Sequence, residues 1–289
     1  MSDVSRRRFL AGSAAVLAAP LAARATTALK AAPQRITTGT DLVTLGKTGI
    51  RTTVVGLGTG TRSGREQRAL GREGFTRMVR HAHDRGIRFI DTADVYKTHP
   101  FVRDALKQLP RDEFFTQTKV SSRDPQGAKA DIERFRQEMD TDYIDSLLIH
   151  YMTKKGWQAD MRPVMDVLHE AKEKQRVRAV GVSCHGWDPL VDSVEGDWVD
   201  THLVRINPFE AMMDGKHEDV AAQMKKMHAK GRGIIGMKIF GETGFDSAEK
   251  RLESLQYVLG LGCVHAFTIG FTSTAQIDET LGMIEQVLA

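Results

Sequence analysis

Apolar residues along the chain gather into short runs at regular intervals. Between the runs lie longer stretches in which apolar positions recur every three or four residues. The runs are Val54–Leu57, Arg88–Ile90, Phe114–Thr118, Ile144–Ile149, Arg178–Val182, Leu203–Ile206, Ile234–Ile239 and His265–Ile269. They are short and apolar without strict alternation, which predicts strands covered on both faces. The intervening stretches predict helices, among them Gly127–Asp140, Val220–Lys230 and Thr274–Leu288. A helix after each doubly covered strand implies a parallel sheet with crossover connections. Eight such units predict an α/β fold closed as a (β/α)8 TIM barrel over residues 42–289, near the usual size of about 250 residues. An open doubly wound sheet is the alternative. Against it, "GLGTG" at 56–60 lacks the last glycine of a GxGxxG turn, and no clear helix opens straight after it. Ahead of the barrel, "LVTLGKTGIRTTVV" (42–55) has two β-leaning runs around Gly46 and Gly49, which predicts an N-terminal β-hairpin.

The first 25 residues break this pattern. "SRRRFLAGSAAVLAAPLAARA" (5–25) has a basic start, an alanine-rich middle and a small-residue end, with Ala23-Arg24-Ala25 as an A-x-A cleavage site. Ser5 to Leu10 match the twin-arginine export pattern. The apolar part is interrupted by Gly12, Ser13 and Pro20 and is too short for a stable membrane span. The expectation is a signal peptide over 1–25, read by the export machinery, and a periplasmic or exported protein. The twin-arginine route carries folded proteins, as a protein that binds its cofactor before export requires. Polar residues 26–41, with Pro33 and Gly39, are expected to be a linker.

Charge then changes the picture less than it first suggests. The chain carries +4, but Arg6, Arg7, Arg8 and Arg24 against Asp3 place +3 of this in the first 25 residues. No basic stripe is left to grip nucleic acid. The two cysteines, Cys184 and Cys263, have no CxxC spacing, which argues against a zinc knuckle or iron–sulfur cluster and favours two buried thiols.

Candidate chemistry lies at the strand ends, where barrels of this kind place it. Asp91 ends the second barrel strand, Lys119 the third and His150 the fourth, while Tyr96 follows Asp91 on the second loop. Taken singly, each has a structural explanation: a turn cap, a solvated lysine, a core histidine, a packed loop aromatic. Together at one barrel mouth they suit protonation of an oxygen that is becoming negative. A lysine cation is expected to lower the tyrosine pKa, an aspartate to balance the lysine, and a neutral histidine to donate to a carbonyl oxygen. One His and one Asp beside a Lys make a poor metal set, so no metal is expected and a metal-dependent barrel hydrolase is disfavoured.

From Leu42 onward the chain resembles the aldo-keto reductase family, in "LGKTGIRTTVVGLGTG", "GIRFIDTADVY", "FFTQTKV", "DYIDSLLIH", "VRAVGVSCH" and "TIGFTSTAQIDETLGMI". The resemblance implies a catalytic tetrad of Asp91, Tyr96, Lys119 and His150. It implies NADPH, in some members NADH, lying across the barrel mouth, and reduction of an aldehyde or ketone by hydride transfer. The cofactor contacts it implies are Gly58, Thr59, Ser183, Asn207, Met237, Lys238, Ser273, Gln276 and Glu279. Four places depart from the usual pattern, one being the seventh strand, where Met237 and Lys238 stand in place of a frequent tyrosine, as in some branches of the family. The Asn that normally follows Ser183 is Cys184, then His185. The sixth-strand Gln is replaced near Leu203, with Arg205 and Asn207 as substitutes. Gln276 stands where many members have Arg, and no cation lies in "GFTSTAQIDET" to meet a 2′-phosphate. "GETGFDSAEK" (241–250) is a candidate strap over the pyrophosphate, and Trp157 a candidate wall of the substrate pocket. These departures leave a second expectation standing: an exported cofactor-binding module with little turnover.

Overall fold

The structure is a computed structural model that describes residues 35–289; the signal-peptide and cleavage-site expectations lie outside the described residues. A hairpin of β1 (Leu42–Thr44) and antiparallel β2 (Arg51–Thr53) comes first. The barrel follows as β3 (Val55–Gly58), α1 (Arg65–Ala69), α2 (Gly71–Asp84), β4 (Phe89–Asp91), α3 (His99–Leu106), β5 (Phe115–Val120) and α4 (Pro125–Met139). It continues through β6 (Ile144–Met152), α5 (Trp157–Glu173), β7 (Val177–Cys184), α6 (Trp187–Glu195) and β8 (Thr201–Arg205). It ends with α7 (His217–Ala229), β9 (Gly233–Met237), α8 (Ala248–Gly260), β10 (Ala266–Ile269) and α9 (Thr274–Leu288). Strands β3 to β10 are parallel, pair in chain order, and close where β10 meets β3, with Phe267 opposite Val55. This is the predicted (β/α)8 barrel with its hairpin.

Local chemistry sets the element limits. Asp124 caps α4 by accepting from the Gly127 N–H at 2.8 Å, Pro125 opens the helix, and Asp140 ends it in the left-handed conformation (φ 53°). Strand β9 stops at Met237, two residues short of the expected end, because Lys238 turns left-handed (φ 61°). Strand β6 runs past Ile149. Between the Ile149–Val182 and Met152–Cys184 pairs it carries one extra residue, and Tyr151 sits in this bulge with φ 62°.

The hairpin plugs the N-terminal end of the barrel. Leu45 is fully buried, and the Lys47 N–H donates to the Gly231 carbonyl at 2.7 Å. The described end of the expected linker packs onto the barrel. Asp41 accepts from the N–H groups of Thr37 (2.6 Å) and Thr38 (3.0 Å), and Ile36 packs on the core. The Val55 N–H donates to Gly39 O at 2.9 Å, so residues 36–41 are a built turn of the barrel. Both cysteines are buried free thiols. Among the described residues no helix is long and apolar enough to cross a membrane.

Candidate active site

Neighbouring strands deliver the four predicted residues to one place. Lys119, fully buried on β5, donates to both carboxylate oxygens of Asp91 at the end of β4 (2.7 and 2.9 Å) and to the Thr92 carbonyl (2.7 Å). All three ammonium protons are therefore used. Burial pushes the Lys119 ammonium below its ordinary pKa, and Asp91 acts against that shift. The Gln117 amide also donates to Asp91 (2.8 Å) and accepts from Ser146 Oγ (3.0 Å), which fixes the carboxylate from the barrel interior.

Tyr96 ends the short turn Asp94–Tyr96 that follows β4. Its ring centroid lies 5.1 Å from Lys119 Nζ and 5.8 Å from the His150 ring, which meets it edge-on. A Cβ on Gly60 would stand 2.5 Å from the Tyr96 ring, so only glycine lets the backbone approach this closely. Arg68 donates to the Tyr96 carbonyl, and Arg134 reaches from α4 to Asp94 (2.9 Å). The hydroxyls of Thr92, Thr98 and Thr59 form a buried chain (2.8 and 2.9 Å) beneath the same loop.

The electrostatics correct one expectation. The Tyr96 phenol is held above its ordinary pKa, by burial first and then by Asp91 and Glu242. These effects outweigh the pull of the Lys119 cation, whose charge Asp91 partly balances. His150 is pushed down to about 2, by burial first and then by Lys119, His185 and Arg123, so its imidazole is neutral at working pH.

The residues expected to hold the cofactor divide into two sets. A cleft of about 610 Å³ is lined by Gly58, Tyr96, His185, Met237 and Lys238. A second, of about 810 Å³, is lined by Phe245, Arg251, Thr272, Gln276 and Glu279. Both share Thr61, Phe240, Glu242, Ile269 and Gly270, so they form one trench from the tetrad to the start of α9. Ser273 caps α9 by accepting from the Gln276 N–H (3.3 Å), and Gln276 Oε1 accepts from the Thr272 N–H (2.8 Å). Ser183 is buried with its hydroxyl 3.3 Å from His185 Nε2.

The others are spent elsewhere. Thr59 donates its N–H to Asp91 O (2.8 Å) and gives its hydroxyl to Thr98. Asn207 uses its whole amide on loop backbone. It donates to Ala211 O (2.9 Å) and Lys238 O (3.0 Å) and accepts from the Phe209 and Ala211 N–H groups (both 3.1 Å). Arg205, the other suggested substitute for the sixth-strand Gln, is taken by buried Asp214. Cys184, in the place of the usual Asn, is buried and donates to the Pro189 carbonyl (3.2 Å). Trp157 is core, with its indole N–H on the same carbonyl (3.2 Å), and does not wall the mouth.

Three residues were not singled out by their chemistry in the sequence. Glu242, in the glycine-rich segment after β9, accepts from the Arg62 N–H (2.8 Å) and from Lys238 Nζ (3.3 Å), bridging the trench at its waist. Arg251, on α8, brings a cation to Glu279 (2.8 Å). His185 faces the tetrad. The segment holding Glu242 carried a sequence signal in its two glycines, and His185 one in the departure after Ser183; Arg251 carried none.

Such a barrel sets a lysine–aspartate pair under a tyrosine at its C-terminal mouth, beside a long trench. Residues 54–261 match the Aldo/keto reductase family, and the chain belongs to it. Over 109 residues it is 38% identical to the 9,11-endoperoxide prostaglandin H2 reductase of Trypanosoma cruzi, covering 36% of this chain and 37% of that protein. Over 173 residues it is 26% identical to the NADH-specific methylglyoxal reductase of Escherichia coli, covering 52% of each. The chain thus spans about a third to a half of the length of these curated relatives. A solved Pseudomonas aeruginosa structure assigned to the aldo-keto reductases superposes with a TM-score of 0.71 at 22% identity, over 88% of this chain and 98% of that one. That likeness is one of fold.

Proposed function

We propose that the protein reduces aldehydes or ketones to alcohols with a nicotinamide dinucleotide, Tyr96 being the general acid. The observation that carries this reading is the Lys119–Asp91 pair lying under the Tyr96 ring, beside a neutral His150, where Asp91 and Tyr96 line a cleft. When bound, the dinucleotide supplies the hydride to the carbonyl carbon. The carbonyl oxygen then takes up the π electron pair, and the Tyr96 hydroxyl gives it a proton. Neutral His150 donates a hydrogen bond to that oxygen and orients it. The raised phenol pKa keeps Tyr96 protonated until the much more basic alkoxide forms. Lys119, fixed by Asp91, stabilises the phenolate left behind until solvent reprotonates it.

The trench fits an elongated dinucleotide, with its reacting ring by Tyr96 and its adenosine end by Ser273, Gln276 and Glu279. Gly58, Met237 and Lys238 line the inner half. NADP(H) is the form we assign, because Arg251 supplies the outer half with the cation missing from the segment after β10. Two relatives, named as methylglyoxal and glyoxal reductases, act on small carbonyl compounds, which supports the reaction class.

Turnover decides between this reading and a binding module with little activity, which the altered contacts at Cys184 and Asn207 favour. Tyr96→Phe removes one hydroxyl, and general acid catalysis contributes about 10²–10⁴-fold. Single-turnover hydride transfer at saturating dinucleotide should fall by at least about a hundredfold. Equal rates, with chemistry rate-limiting, would return the weight to the binding module.

We also propose export by the twin-arginine route, on the pattern from Ser5 to Leu10. Replacing Arg6 and Arg7 by Lys should hold the protein in the cytoplasm, and unchanged periplasmic yield would exclude the route.

A further inference from the structure

We propose that His185 is a second hydrogen-bonding point for the substrate, so that the preferred carbonyl compounds carry an oxygen on the neighbouring carbon, as 2-oxoaldehydes and α-hydroxyaldehydes do. This rests on the carbonyl-reductase reading above and deepens it.

Three observations carry it. First, His185 lines the same cleft as Tyr96 and Asp91, directly after β7, and its ring centroid lies 6.2 Å from that of His150 at the end of neighbouring β6. Two N–H donors that each reach about 2.9 Å can converge from that separation on two oxygens of adjacent carbons. His150 takes the reacting oxygen and His185 the other.

Second, the ring is held in place. The His185 backbone N–H donates to Met152 O (2.7 Å), which fixes the main chain under the ring, and Ser183 Oγ lies 3.3 Å from ring Nε2. Tyr151 packs on the ring face with centroids 4.5 Å apart. Tyr151 reaches that position through the bulge of β6, in a left-handed conformation that costs a non-glycine residue energy. Among the described residues Nδ1 has no protein hydrogen-bond partner.

Third, the imidazole is neutral. Burial, then Arg205, Lys238 and Lys119, push it down to about 3. A neutral ring can donate one N–H and brings no charge to repel Lys119. The surrounding cations favour an electron-rich oxygen at that point.

The test compares two three-carbon aldehydes that differ by a single hydroxyl, lactaldehyde and propanal. The readout is the ratio of their kcat/KM values, in which any general loss of activity cancels. In His185→Phe the lactaldehyde:propanal ratio should fall about five- to tenfold, the size of one neutral hydrogen bond. His185→Gln, which keeps a donor, should hold the ratio within about twofold of wild type. If phenylalanine prevents folding, His185→Ala carries the same expected loss. An unchanged ratio in His185→Phe or His185→Ala overturns the inference. So does an unchanged ratio accompanied by weaker dinucleotide binding, which would give the ring to the cofactor. A wild type that reduces neither aldehyde overturns the carbonyl-reductase reading itself, which separates the two failures.

Discussion

At the scale of single residues, Lys119 shows how a buried charge is made tolerable and useful together. Its buried ammonium has three acceptors, two of them the carboxylate oxygens of Asp91. Lys119→Met removes the cation that steadies the Tyr96 phenolate and leaves a buried carboxylate without its partner. We expect single-turnover hydride transfer to drop by about a hundredfold and unfolding stability to fall by about 3–5 kcal/mol. Adding Asp91→Asn should recover most of the stability and none of the rate, because the charge mismatch is cured but the cation is still missing. Urea melts and stopped-flow traces of the three proteins decide this. The tetrad was legible because each member sits at or just after a strand end, a place the hydrophobic pattern marks. The raised Tyr96 pKa was not legible. It depends on how deeply the ring is buried, then on Asp91 and on Glu242, far along the chain. The spent amide of Asn207 was hidden for a related reason: its partners are backbone groups of one loop and of Lys238.

At the scale of elements, strand ends were predicted within a residue or two wherever the backbone stays regular. The exception is the end of β6, which runs three residues past the expected Ile149 through the bulge at left-handed Tyr151. The larger gap concerns α8. Its amphipathic pattern does not say that Arg251 projects toward α9, yet the Arg251–Glu279 pair places a cation beside Gln276 in the trench. That contact joins two helices and is set by their packing. If Arg251 receives a 2′-phosphate, Arg251→Met should lower the ratio of NADPH to NADH affinity by more than about tenfold, or about 1.4 kcal/mol. Fluorescence titrations with both dinucleotides measure it. A ratio that does not move, or a wild type that prefers NADH by that margin, removes the NADP(H) assignment.

At the scale of the whole molecule, eight runs in a regular order were enough to foretell a closed barrel, because a parallel sheet covered by helices has few other ways to close. The interior also fixes how the fold responds to acid. His150, His185, His202 and His265 are pushed down to about 2, 3, 3 and 4, in each case mainly by burial. In the unfolded chain they titrate near 6.5. The folded state therefore binds fewer protons between those values. Stability is fully present above about pH 6.5 and is lost as pH falls, at up to about 1.4 kcal/mol per pH unit for each histidine. Urea midpoints should be flat from pH 7 to 8 and drop steeply between pH 6 and 4. Replacing His202 by Gln should shallow that drop, and an acid limb of unchanged slope would contradict the account. Closure has a temporal side too. The seam joins β3 to β10, with Val55 and Phe267 paired across more than two hundred residues of chain. A ribosome releases the first of these strands long before the second exists. The growing polypeptide must keep an open, hydrogen-bond-hungry sheet edge until β10 has emerged, so this protein's exposure to chaperones and to aggregation is set by the arrival of that one strand.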